Sequence, residues 1–471
     1  MSFTTRRAGG LAGLSFIATT GLLGAYLGYP GLRKAQAATT CTVTSADDDD
    51  TAPYTSGELR YCLDQVDTYG GGAITFDPSV TDTIALSSSL PQVTLTSSLT
   101  IIGNGRDNTR IDGRNSHSVF SFTGNHTVSI SGLTIVDGRT NIGGSAVRSV
   151  DGNVVLQEVR ITDNYGSDNG GAVYAQSGDV TVSDSTFDAN SAYYDGGGAI
   201  RAKSGDVTIE RSVFIDNVAI LNPGGAVKAE NGSLIVSNST FSGNDASHGG
   251  AIFAQNPASN VEINFSTITG SNTLSTNSSA VDSAGDVTVT NSIVHGNTIG
   301  DVQAGGTLST SYSLFTSSSS VSPTVSGATL IFGEDPLLGA LANNGGSTLT
   351  MMPGAGSPVL GAANPAGAPA TDQRGYTRTT NGRADMGAVE RLGVPPAADP
   401  SQVPPSWHQA TSREAQESSC PPGMAPSWAQ WPNEGTGGWT CEYTTWWDVN
   451  EGVGGGWVTT PGFRAGRIPG L

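Results

Sequence analysis

Five residues set one repeat apart carry the clearest chemical pattern in the chain: Arg148, Tyr174, Arg201, Lys228 and Phe253. Each follows an Ala-Val or Ala-Ile pair, and strand alternation turns it to the side opposite the preceding Val or Ile. Lys203 and Glu230 share that side. If the repeats stack, these residues line up as a basic and aromatic row on an acidic protein. Guanidinium and ammonium groups bind carboxylates and aromatic faces lie under sugar rings, so such a row suits an acidic polysaccharide. A catalytic version needs more. A lyase would require a base such as Lys228 or Arg201 beside a Ca²⁺ site made of acids such as Asp188 and Asp216. Those two acids stand at different places relative to their neighbouring asparagines, so the spacing gives no sign that they converge. The plainer alternative is a solvated polar face. The five histidines (His117, His126, His248, His295, His408) are scattered and form no metal motif. Sequence order supports no Ser/His/Asp constellation.

The elements that position this row come from an internal repeat. Gly143-Gly144-Ser145-Ala146, Gly170-Gly171-Ala172-Val173, Gly197-Gly198-Ala199-Ile200, Gly224-Gly225-Ala226-Val227 and Gly249-Gly250-Ala251-Ile252 recur every 25 to 27 residues. A second mark follows each: Ile161-x-x-Asn164, Phe187-x-x-Asn190, Phe214-x-x-Asn217, Phe241-x-x-Asn244, Ile268-x-x-Ser271 and Val294-x-x-Asn297. Between the marks lie short alternating strands such as Val180-Thr181-Val182 and Val207-Thr208-Ile209. One repeat cannot bury its apolar face alone, whereas stacked coils share a continuous core. Equivalent residues then sit ~4.8 Å apart. This predicts an internal Phe187/Phe214/Phe241 ladder and an Asn190/Asn217/Asn244 ladder at a turn, where Asn tolerates φ > 0 and bonds its neighbours' amides. The pattern extends weakly outward, and residues 91–332 give about nine coils, a rod on the order of 40 Å long.

Composition and charge bound the setting. The chain has 471 residues, 64 of them Gly, with 13% charged residues and a net charge of -19. Residues 1–37 hold Arg6, Arg7, Arg33 and Lys34, no acids, an apolar stretch and a small-x-small site at Ala35-Gln36-Ala37, so they read as a signal peptide cleaved after Ala37. The remainder carries net -23 (18 basic, 41 acidic), which repels phosphate backbones and argues against nucleic-acid binding. No transmembrane segment is expected after cleavage. An uncleaved membrane anchor is the alternative. Four cysteines permit three pairings, of which the local ones, Cys41–Cys62 and Cys420–Cys441, each bracket one end of the chain. Residues 38–90 then form an N-terminal cap. The Asp47–Asp50 run reads as an exposed loop, with calcium binding a weaker alternative.

The pairing of Gly-Gly-Ala-Ile/Val with Phe-x-x-Asn over residues 143–297 resembles the polymorphic outer membrane protein repeat. That resemblance implies a β-helical surface protein, several known members being adhesins. Those proteins end in a membrane-embedded autotransporter barrel, for which the ~80 residues after Glu390 are too few. Self-translocation is therefore not expected. Asp335-Pro336-Leu337-Leu338-Gly339, Asn343-Asn344-Gly345-Gly346, Asp372-Gln373-Arg374-Gly375 and Asp385-Met386-Gly387-Ala388-Val389-Glu390 resemble the choice-of-anchor Q domain. That domain follows a β-helix in exported bacterial proteins, so residues 333–393 are assigned to a segment of this type. Cys41-Thr42-Val43-Thr44 with Leu59-Arg60-Tyr61-Cys62 is similar to the start of such proteins. These resemblances imply architecture and location, not a substrate.

Residues 394–406 form a Pro-rich linker. All seven tryptophans follow it within 407–471: Trp407, Trp428, Trp431, Trp439, Trp446, Trp447 and Trp457. A domain this small needs a staple, which Cys420–Cys441 would supply. Trp faces stack on sugars, so Trp428, Trp431, Trp439, Trp446 and Trp447 are candidate glycan ligands. The alternative is that they form the module's core.

The sequence thus predicts an all-β chain: a right-handed parallel β-helix, a pectin-lyase-like solenoid, with a small disulfide-stapled Trp-rich C-terminal module. It is expected at the bacterial surface or secreted, with an extracellular glycan or the cell envelope as partner. The leading function is non-catalytic adhesion, display or glycan binding. The alternative is a β-helical polysaccharide lyase or hydrolase acting on acidic glycans. No cofactor is expected, Ca²⁺ entering only under the lyase alternative. The oligomeric state is left open.

Overall fold

The computed structural model describes residues 39–391, except 274, 276–277, 323–327 and 380–381, together with the backbone of three strands between 424 and 459. The signal-peptide reading of 1–37, the linker at 394–406 and the Cys420–Cys441 pairing lie outside the described residues.

The repeat winds into a right-handed parallel β-helix, as its periodicity predicts. Each coil contributes one strand to each of three long parallel sheets. Sheet A has eleven strands, from Thr39–Val43 and Gly72–Phe76 to Leu308–Ser311. Sheet B has eleven, from Ile84–Ala85 to Ile331–Phe332, and sheet C has ten, from Gln92–Thr94 to Val321–Ser322. Between B and C the central coils add two-residue strands that form a six-stranded sheet D, from Arg139–Thr140 to Asn272–Thr273. No two-residue strand carries an alternation, so the sequence alone does not announce this fourth face.

Register places like residues on like. Val180 pairs with Val207 and Val207 with Leu234, and all three are buried. Phe187, Phe214 and Phe241 stack with ring centroids 4.8 and 4.7 Å apart and planes within 4°. That spacing is the strand spacing itself. Asn164, Asn190, Asn217 and Asn244 are fully buried, and each of the first three donates from Nδ2 to the next Oδ1 at 3.0 Å. The ladder is as expected, but the left-handed residue is the one before each Asn: Asp163, Ala189 and Asp216 have φ of 56°, 52° and 49°. The Asn is needed for its amide rather than its backbone. A second ladder follows the A-to-B corner, where Ser185, Ser212 and Ser239 accept the N–H of the preceding coil's Val159, Ser185 and Ser212. Buried backbone at these corners is thereby satisfied, which an interior without water requires.

The N-terminal end differs from expectation. Thr39–Val43 pairs with Gly72–Phe76 and is already part of sheet A, so the coils begin before residue 91. A helix, Leu59–Tyr69, covers the end of the stack and buries Leu59, Cys62, Leu63 and Val66. Gly70 ends it in the left-handed region at φ 81°, where a Cβ is disfavoured. The Cys41–Cys62 disulfide ties helix to first strand. Asp48 is not a free acid in an exposed run: Arg60 pairs with it at 2.6 Å, and both side chains are 2% exposed.

Residues 335–390 lie as a strap along the A-to-B corner of the coils. Thr348 donates to Arg211 O, Thr240 to Gln373 Oε1, and the Gly387 N–H to Asn291 O. Val359, Ala363, Ala384 and Met386 bury Phe265, Ile293 and Leu314. The strap's acids Asp372, Asp385 and Glu390 and arginines Arg374 and Arg378 form one enclosed network. Arg374 pairs with Asp372 at 2.8 Å, the Asp385 N–H donates to Glu390 Oε2, and Arg378 donates to Asn238 Oδ1 at 2.7 Å and Ala388 O at 3.0 Å.

Burial pushes the Glu390 carboxyl up to about 7, with Asp385 and Asp372 adding to the rise while the Asp385 N–H and Arg378 oppose it. A carboxyl raised on folding favours the folded state below its unfolded range near 4.5. That contribution is lost as pH climbs through about 7. Glu390→Gln keeps the acceptor for the Asp385 N–H and removes the charge. Its melting temperature is expected to match the parent below pH ~4.5 and to exceed it above pH ~7. Equal melting temperatures at both ends of that range would refute the assignment.

Candidate functional site

The five-residue row is assembled as its spacing predicts. Sheet C pairs Arg148 with Tyr174, Tyr174 with Arg201, Arg201 with Lys228 and Lys228 with Phe253. The same column continues through Ser121 and Gln92 on one side and Asp282 and Gln303 on the other. Spacing held this signal: Ser121 stands 27 residues before Arg148.

The row is not a solvated face. Tyr174, Arg201 and Lys228 are only 4%, 5% and 5% exposed. The loops that carry sheet D fold over them. Gly144, Gly170, Gly197, Gly224 and Gly249 lie against the row, and a Cβ on Gly224 would stand 3.0 Å from Lys228 Cβ. Enclosed charges must be matched, and these are. Glu230 pairs with Arg201 at 2.5 Å and with Lys228 at 3.3 Å. Asp195 adds a 3.1 Å contact to Arg201, and its backbone O accepts from Lys228 Nζ at 2.8 Å. Asn169 Oδ1 accepts from Arg201, whose guanidinium lies 5.5 Å from the Tyr174 ring centre. Burial lowers the Lys228 pKa, and the nearby Glu230 opposes that shift. Burial likewise raises that of Tyr174. Arg201 and Lys228 therefore hold two adjacent coils together through one carboxylate. Lys203, which shares their side in sequence, is exposed.

Asp188 and Asp216 lie elsewhere, on sheet B and at the corner after it. Burial raises the Asp188 pKa, helped by Asp163 and Asp216. Sheet D intervenes between these acids and the basic row. Among the described residues no three His, Cys, Asp or Glu side chains gather where they could hold a metal ion.

The covering has an edge. Sheet D exists where the B-to-C loop has nine to eleven residues, as in 137–146 or 189–199. The loops before it are shorter, 86–91 and 113–119, and cannot reach over sheet C. The row thus emerges at its N-terminal step into a cleft of about 160 Å³, lined by Gln92, Ser121, Thr140, Leu90, Ile142 and Arg148 among others. Arg148 is partly exposed there, forms no ion pair among the described residues, and its enclosed Nε has no hydrogen-bond partner. Phe253, one coil short of the other end of the covered stretch, is partly exposed.

Of the tail, three antiparallel strands are described: Met424–Gln430, Gly437–Trp446 and Trp457–Thr459. Their backbone register sets Trp428 opposite Trp439 and Trp446 opposite Trp457. Trp407, Trp431 and Trp447 lie outside the described residues. No helix among the described residues is long and apolar enough to cross a membrane.

Residues 92–268 match the family model for the right-handed β-helix region. No curated protein matches the chain.

Proposed function

We propose that this right-handed parallel β-helix is an exported, envelope-associated rod that binds glycan in adhesion or surface display and does not cleave it. The observation that carries the reading is the engagement of Arg201 and Lys228 by Glu230. The two residues best suited to act as a lyase base are enclosed, charge-matched and turned to holding coils together. Their row becomes available to a ligand at the step beside Arg148. The rod resembles polymorphic outer membrane protein repeats, and its strap resembles a choice-of-anchor Q domain. Both resemblances support a surface location. We assign retention to the Trp-bearing residues 407–471, with residues 1–37 removed on export.

Sedimentation with purified cell envelopes tests this reading. The mature chain, residues 38–471, is expected to co-sediment and to be competed off by soluble glycan. A version ending at 395 is expected to lose most of its binding. Equal binding by the shortened chain would show that the tail is not the anchor. Absence of binding by the mature chain would overturn the reading.

A further inference from the structure

The row's cations have two fates. Arg201 and Lys228, under the sheet D loops, spend their charge on Glu230 and Asp195. Arg148, in the first of the covered coils and beside the uncovered one, has none of these partners. A guanidinium offers a planar fork of donors, and no carboxylate among the described residues pairs with this one. The corner packs closely on the base of the side chain: a Cβ on Gly144 would stand 3.1 Å from Arg148 Cβ.

The rest of the cleft says what kind of anion fits. Gln92 brings an amide, and Ser121 and Thr140 bring hydroxyls. Leu90 and Ile142 form an apolar wall, and Ile142 is 58% exposed with no packing role that explains an aliphatic side chain there. A small inorganic anion would use the guanidinium and leave the wall wet. The volume of about 160 Å³ is similar to that of an engineered ~150 Å³ apolar cavity that takes up benzene. That is room for one ring, not a row of them.

We propose that the step cleft seats a single acidic sugar residue, with its carboxylate on Arg148, its hydroxyls on Gln92, Ser121 and Thr140, and one ring face on Leu90 and Ile142. This rests on the glycan-binding reading above and narrows it. The rod grips one uronate-like residue of a glycan at this point rather than a length of chain along the row.

Isothermal titration of the mature chain with D-glucuronate, D-glucose and inorganic sulfate tests it. Glucuronate is expected to bind, with glucose and sulfate each at least about tenfold weaker. Arg148→Ala is expected to weaken glucuronate by about tenfold or more. Ile142→Ser, a change at an exposed position, is expected to weaken it several-fold with the melting temperature unchanged. Lys203→Ala, at an exposed position two coils away, should leave it as it was. Sulfate binding as well as glucuronate would reduce the cleft to a plain anion site and overturn the proposal. So would glucuronate binding that survives both Arg148→Ala and Ile142→Ser. If the mature chain sediments with envelopes but ignores glucuronate, the cleft assignment falls and the glycan-binding reading stands. If it does neither, both fall.

Discussion

Arg378→Ala is expected to release the 335–390 strap from the coils while leaving the coils wound. Arg378 is fully enclosed, lies 4.3 Å from the centre of the Phe265 ring, and serves Asn238 Oδ1 and the Ala388 carbonyl. Burial lowers its pKa to about 10, with Asp372, Glu390 and Asp385 pulling it back up, so it remains a cation at neutral pH. Removing it strands those acids in an enclosed space and opens a void against Phe265. Breaking a buried charge cluster from one side costs ~3–5 kcal/mol. The cost falls on the strap, because the coils' own ladders do not use Arg378. Hydrogen exchange reads this directly. The Gly387 N–H, bonded to Asn291 O, and the Ala388 N–H, bonded to Thr267 Oγ1, should lose protection. Amides in the Asn ladder, such as that of Asn190, should keep theirs. Uniform loss through the coils would mean that the strap is part of the rod's cooperative unit.

Phe214→Ala is expected to be the most damaging single truncation in the middle of the rod. Its ring sits between Phe187 and Phe241, at 4.8 and 4.7 Å, in a space with no solvent access. Strand pairing fixes the backbone spacing, so neighbouring coils cannot close the gap. Phe→Ala in such a setting costs ~3–5 kcal/mol. Urea denaturation should show it as a lower midpoint. Phe253→Ala is the matched control on the outer side of sheet C, where the side chain is partly exposed and the loss should be well under half as large. A comparable loss at both positions would contradict the inward and outward assignment of the strand faces.

The parts of the fold that could be read from sequence are those that repeat. Phe187, Phe214 and Phe241, their asparagines and the Gly-Gly corners recur at coil spacing, and stacking like on like is the direct physical consequence. The row from Arg148 to Phe253 was legible for the same reason. Its burial was not, because that depends on loops of nine to eleven residues folding back across the sheet, and on Glu230 reaching cations one coil earlier and on its own strand. The helix Leu59–Tyr69 left a readable trace in Leu59, Cys62, Leu63 and Val66, an i, i+3, i+4, i+7 pattern hidden inside a segment otherwise rich in strand signals. The strap's attachment left none: nothing near Arg378 in sequence marks it for burial against Phe265, 113 residues earlier. The step at Arg148 became visible only once loop lengths could be laid against sheet C.

The most direct measurement of glycan binding without cleavage incubates the mature chain with a panel of acidic and neutral polysaccharides, with and without Ca²⁺, and reads bound protein and released sugar from the same tubes. The expected result is saturable binding to at least one acidic polysaccharide, with reducing ends and unsaturated products at background. Sugar release that disappears in Arg201→Ala or Lys228→Ala would contradict it, and would make the covered row a catalytic one.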